Sequence, residues 1–96
     1  MYIVSLTYVC EMDKVDATID AHIDWLKEQY DKGHFIASGR KVPRTGGVVL
    51  ADMASREELD AVLAQDPFHT EGVATFEVTE VAISKTAQGY ECLMSE

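Results

Sequence analysis

Apolar residues recur along this chain at a spacing that switches between two residues and about 3.6 residues, and the order of those switches decides which fold is open to it. Tyr2 to Cys10 is rich in β-branched and aromatic residues and holds no Gly or Pro, as a strand requires. Tyr2, Val4, Leu6 and Tyr8 line one face of it and Ile3 and Val9 the other, which predicts a central strand covered on both sides. From Asp13 the period lengthens. At about 100° per residue, Val15, Ile19, Ile23, Leu26 and Tyr30 fall within one arc, the stripe of an amphipathic helix that Asp13 can cap and Gly33 can end.

His34 to Val42 and Val48 to Met53 return to strand character. Between them, Pro43-Arg44-Thr45-Gly46-Gly47 supplies the fixed and the positive backbone angles of a tight reversal, so the two strands form a hairpin. Ser55-Arg56-Glu57-Glu58 matches a capping box, and a second helix runs from it through Leu59, Val62 and Leu63. It stops at Asp66, because the residue before Pro67 is pushed out of helical angles. Phe76 to Ile83 is the fourth strand, and a polar tail with an apolar patch at Tyr90, Cys92, Leu93 and Met94 follows. The order is that of the ferredoxin-like α+β fold, β-α-β-β-α-β with a four-stranded antiparallel sheet. The expected organisation is one domain over residues 1–96, with the core at 2–85 and a tail at 86–96.

Two helices cover only one face of such a sheet. Apolar residues on both faces of the strands predict a homodimer that packs sheet on sheet, with a small-molecule cleft in each half. Charge narrows the partners further. Seventeen acidic residues against 8 Lys and Arg give a net charge of −9, which argues against nucleic acid and anionic membrane surfaces, since both bind through cations. No run of about 18 apolar residues exists to span a bilayer, and the N-terminus lacks the basic start of a signal peptide, so the expected location is the cytoplasm. Cys10 and Cys92 are read as reduced thiols, and with His22, His34 and His69 they form no metal-ligand spacing. No metal and no cofactor is expected: flavin, haem and nicotinamide motifs are missing, and Gly46-Gly47 is too short for a phosphate loop.

His22 is the informative titratable residue. On the helical projection it lies between Thr18 and Leu26 at the border of the apolar arc, with Trp25 beside it and Asp20, Asp24, Lys27 and Glu28 on the far side. An imidazole held there suits general acid or base work, and equally a histidine satisfied inside the core. Asp66 stands where a helix must end. It is either a turn aspartate bonding to nearby amides or the carboxylate that orients His22, and spacing leaves both open. Ser38, Gly39 and Arg40, with Lys41 next and Arg44 in the turn, concentrate the positive charge of an acidic chain. Forked donors there suit an anionic or phenolic ligand, and surface ion pairs are the alternative fate of the two arginines. His34 and His69 show no partner.

Taken together, His22, Gly33, Ser38-Gly39, Pro43-Arg44-Thr45-Gly46-Gly47, Asp66-Pro67-Phe68 and Gly72 resemble the YciI-like (YCII-related) family, over Tyr2 to Lys85. The resemblance implies a dimeric α+β barrel, an active-site pair at His22 and Asp66, and a cleft that includes Ser38 and Gly39. Arg40, Arg44, Pro67 and Phe68 complete the expected ligand contacts. One branch of that family is similar to cofactor-free dehydrochlorinases acting on chlorinated hydroxyhydroquinones, and the wider superfamily includes an isomerase. Two functions follow. The first is a cofactor-independent lyase or isomerase working by a His/Asp acid-base pair on a phenolic or anionic cyclic compound. The alternative is a non-catalytic ligand-binding or accessory protein using the same cleft.

Overall fold

The structure is a computed structural model that describes residues 1–94; Ser95 and Glu96, at the end of the expected tail, lie outside the described residues. Strand β1 (Tyr2–Tyr8) leads into α1 (Met12–Asp31), the hairpin of β2 (Phe35–Arg40) and β3 (Gly46–Ala51), two short helices α2 (Arg56–Leu63) and α3 (Pro67–Thr70), and β4 (Ala74–Glu80). A single 3₁₀ turn, Glu91–Leu93, follows in the tail. The strands are ordered β2-β3-β1-β4 and every neighbouring pair is antiparallel. This is the ferredoxin-like α+β arrangement that the alternating periods predict.

Register shows how the two sheet faces divide. Val4 pairs with Val49 and Val78, and Tyr2 with Ala51 and Glu80, so one face carries Tyr2, Val4, Leu6, Val49 and Ala51 into the core with Trp25, Leu59, Leu63 and Phe68. The other face holds Ile3, Val48 and Leu50, each half-buried, while Thr75, Glu77 and Thr79 make its β4 side polar and exposed. Strand β1 is central, as expected, and the helices of this chain pack on one side of it; Val9 lies beyond the strand at 58% exposure.

Several boundaries move for local reasons. The N-cap of α1 is Glu11, not Asp13, which falls in the first turn. Its C-terminus closes as expected at Gly33 (φ 77°), with the His34 amide donating to the Gln29 carbonyl and the Gly33 amide to that of Tyr30. Ser55 caps α2 by accepting from the Glu58 amide at 3.2 Å. Strands β3 and β4 each begin two residues earlier than expected. Gly46 and Gly47 are paired into the sheet against Thr7 and Leu6, and the reversal is confined to the preceding residues, where the Val42–Pro43 peptide is cis. Helix α3 was not expected: four residues are too few to show a period, although Asp66 at N-cap followed by Pro67 is a start signal.

The two turn glycines also set how close the strands come. A Cβ on Gly46 would run into the Leu6 backbone carbonyl, whereas one on Gly39 would meet open space. Gly46→Ala is therefore expected to destabilise the fold by about 3 kcal/mol and Gly39→Ala by less than about 0.5 kcal/mol. Urea unfolding midpoints of the two variants measure this directly, and equal midpoints would contradict it.

Candidate active site

The buried side of α1 is not the arc drawn from its aliphatic residues. Val15, Thr18, His22, Trp25 and Gln29 are buried, while Ile23 and Tyr30 are 39% and 37% exposed. The helix is rotated so that His22 faces inward and Ile19, Ile23 and Leu26 line a half-open cavity of about 270 Å³ between α1 and the hairpin side of the sheet. Tyr8, Val49 and Phe68 form apolar wall on the other sides, and Ser38, Gly39 and Arg40 border it from β2. Ile19 and Leu26 are half-buried and also pack against the core, so of the three only Ile23 is exposed.

His22 sits at the floor of that cavity with its side chain 10% exposed. Its Nδ1 is 2.7 Å from Oδ1 of Asp66, which is fully buried at 0% exposure. The same Oδ1 accepts from the Phe68 amide at 2.9 Å, so Asp66 caps α3 and meets His22 at once. Both of the roles that spacing left open are thus made by one oxygen. The other oxygen, Oδ2, is buried with no hydrogen-bond partner among the described residues. A carboxylate has only lone pairs to offer, so the neutral ring is held as the Nδ1–H tautomer and Nε2 carries the free lone pair. Phe68 lies flat against the imidazole, with centroids 3.9 Å apart and planes at 9°, and Trp25 flanks it at 5.8 Å. Side chains on both neighbours therefore fix the ring's plane, and Asp66 fixes its rotation about that plane.

The positive charges that the sequence groups together are separated in space. Arg40 alone lines the cavity. Lys41 turns to the opposite sheet face, where Nζ donates to Thr7 Oγ1 at 3.3 Å. Arg44 stands outside the cavity and donates to Asp16 at 2.9 Å. That bond, with the Tyr8 phenol close by as a smaller contributor, raises the Arg44 pKa above its ordinary value. Pro67 does not line the cavity; it opens α3 at its first position and so sets Phe68 in place.

Ser38 has a partner that spacing did not indicate, the Tyr30 hydroxyl at 2.7 Å from Oγ. Tyr30 and Ser38 are on different elements, and only the antiparallel return of β2 along α1 brings them together. His34 binds Gln29 Oε1 at 2.7 Å, and His69 sets its ring edge against Phe76 at 5.8 Å, both away from the cavity lining. Cys10 and Cys92 are both free thiols. Among the described residues no group of three or more His, Cys, Asp or Glu is placed to hold a metal ion, and no helix is long and apolar enough to cross a membrane.

Residues 1–82 match the sequence profile of the family described as the YCII-related domain. No curated protein matches the sequence. Among solved structures, the fold is similar to that of 5-chloro-2-hydroxyhydroquinone dehydrochlorinase from Burkholderia phenoliruptrix AC1100 in complex with 2,5-dihydroxybenzoquinone. The TM-score is 0.72 at 16% sequence identity, with 83% of this chain and 91% of that chain covered. At that identity the likeness is one of fold.

Proposed function

Because the chain belongs to the YCII-related family, we propose that its cavity is the active site of a cofactor-independent enzyme in which His22 and Asp66 act as an acid-base pair on a small cyclic compound. The observation that carries this is the imidazole itself: Nδ1 is bound to a buried carboxylate and Nε2 is left on the side of an open, mostly apolar cavity. Such a ring takes a proton at Nε2 while Asp66 stabilises the cation that forms. A dry cavity of about 150 Å³ is enough to hold benzene, so the volume here suits one six-membered ring with polar substituents. Arg40, with the Ser38 hydroxyl beside it, supplies the positive and hydrogen-bonding groups that hold an ionised or phenolic oxygen.

The reaction class that fits this equipment is elimination or isomerisation on a ring that serves as its own electron sink. In elimination, one ring hydroxyl gives up its proton as a proton is added at the halogen-bearing carbon; Nε2 of His22 then takes the proton of a second ring hydroxyl, the electron pair it leaves passes through the conjugated system, and the carbon–halogen bond breaks to release halide and leave a quinone. In isomerisation the same proton returns at a second atom. The bound quinone and chlorinated substrate named for the similar structure support a substrate of this kind. The test is chloride release from 5-chloro-2-hydroxyhydroquinone. Chloride release that depends on His22 is the expected result, and release at the uncatalysed rate, or at a rate indifferent to His22, overturns the dehydrochlorinase assignment.

One observation favours the second reading, a non-catalytic ligand-binding protein: the hydrogen bond from Phe68 N gives Asp66 a structural task whether or not catalysis occurs. The two readings separate on the behaviour of Asp66 variants, taken up below.

The same reading includes a homodimer built on the uncovered sheet face. Ile3, Val48 and Leu50 are half-buried there, on the face opposite the one that joins the core with the helices. Sedimentation at micromolar concentration is expected to give twice the 10.6 kDa chain mass, and Leu50→Glu to shift it to the monomer. A monomer in the parent would remove the dimer and any cleft completed by it.

A further inference from the structure

Tyr8 is the last residue of β1 and faces the helix layer, where it lines the same cavity as His22. Its ring meets Phe68 edge-on, with centroids 5.7 Å apart and planes at 87°. Phe68 in turn lies flat on the His22 imidazole. The phenol and the imidazole therefore share one aromatic support, and the distance between them is set by a side chain that is only 2% exposed. Apart from Tyr8 and His22, the polar side chains of the cavity lining are Ser38 and Arg40, both from β2.

We propose that Tyr8 is a ligand-contacting residue of this site, its hydroxyl donating to a ring oxygen that carries negative charge. The proposal rests on the reading of the cavity as the substrate site and deepens it by naming the ligand group selected: an enolate or phenolate oxygen attached directly to the ring. When His22 removes a proton, negative charge builds on such an oxygen, and the Tyr8 donor is already in place to receive it. A carboxylate standing off the ring places its charge farther out and gains less from the same donor.

The test compares two probes of one ring type, 4-nitrophenol and 4-nitrobenzoate, in a mildly alkaline buffer where both are anions. Dissociation constants are measured by calorimetry for the parent, Tyr8→Phe and His22→Gln. Tyr8→Phe keeps the ring on Phe68 and is expected to weaken 4-nitrophenol about tenfold, as loss of a hydrogen bond to a charged group does, with a much smaller effect on 4-nitrobenzoate. Equal affinity of parent and Tyr8→Phe for 4-nitrophenol overturns the proposal, as does an equal loss for both probes. A parent that binds neither probe removes the substrate-site reading and the proposal together. Binding that depends on His22 but not on Tyr8 removes the proposal alone.

Discussion

Replacing His22 by glutamine is expected to slow turnover of a ring substrate by on the order of 10²- to 10⁴-fold, the usual contribution of a positioned general base. Glutamine is the informative variant because it keeps a flat amide against Phe68 and a donor for Asp66, while lacking a nitrogen that can take a proton near neutral pH. His22→Ala is expected to be as inactive and less stable. It leaves a carboxylate at 0% exposure without its closest partner, and breaking a buried pair in this way costs about 3–5 kcal/mol. Activity is therefore compared at a temperature where circular dichroism finds every variant folded. A glutamine variant as fast as the parent would mean that His22 is not the base.

Asp66 variants separate the two tasks that one oxygen performs. Asp66→Asn retains an oxygen able to accept from both the Phe68 amide and His22, and it removes the negative charge behind the ring. Turnover is expected to fall by about 100-fold or more, because the imidazolium formed on proton uptake is no longer stabilised. Asp66→Ala removes the acceptor as well. Loss of the cap, about 1 kcal/mol, and of the partner for the buried Nδ1 donor, about 1–3 kcal/mol, sum to about 2–4 kcal/mol. For a chain of this length each kcal/mol lowers Tm by about 4–8 °C, so thermal unfolding resolves the alanine variant easily. If the parent turns over no ring substrate and the Asp66 variants change only stability or ligand affinity, Asp66 is a helix cap and the ligand-binding reading stands in place of the enzyme.

The candidate site shows where reading from sequence runs out. His22 is placed on the correct element and toward its inner side by helical spacing, but at the border of an aliphatic arc that the tertiary structure buries only in part. Aliphatic residues at that spacing are usually core; here Val15 is buried, Ile19 and Leu26 are half-buried between core and cavity, Ile23 is exposed, and Thr18, His22, Trp25 and Gln29 share the inner face. Gly46 and Gly47 look like turn residues because glycine supplies unusual angles. They are strand residues, Gly46 facing the Leu6 carbonyl of β1 and Gly47 the Gly39 carbonyl of β2 where a Cβ would be crowded. Arg40, Lys41 and Arg44 look like one positive group along the chain. Alternation in β2 sends Arg40 and Lys41 to opposite faces, and Asp16 draws Arg44 away. Tyr8 gave no signal beyond its place in an alternating strand.

Local periodicity determined by itself the order of the four strands and the two longer helices, though not α3, and hence the ferredoxin-like sheet. Strands and helices repeat their apolar residues at different intervals, and that difference is written in neighbouring residues. The meeting of His22 with Asp66, 44 positions away, was decided only by the tertiary structure, as were the pairing of Tyr30 with Ser38 and the standing of Tyr8 across Phe68 from the imidazole. Those contacts depend on how helices rotate and settle on the sheet. That rotation is set by the fit of side chains from distant segments, a property that no stretch of adjacent residues contains.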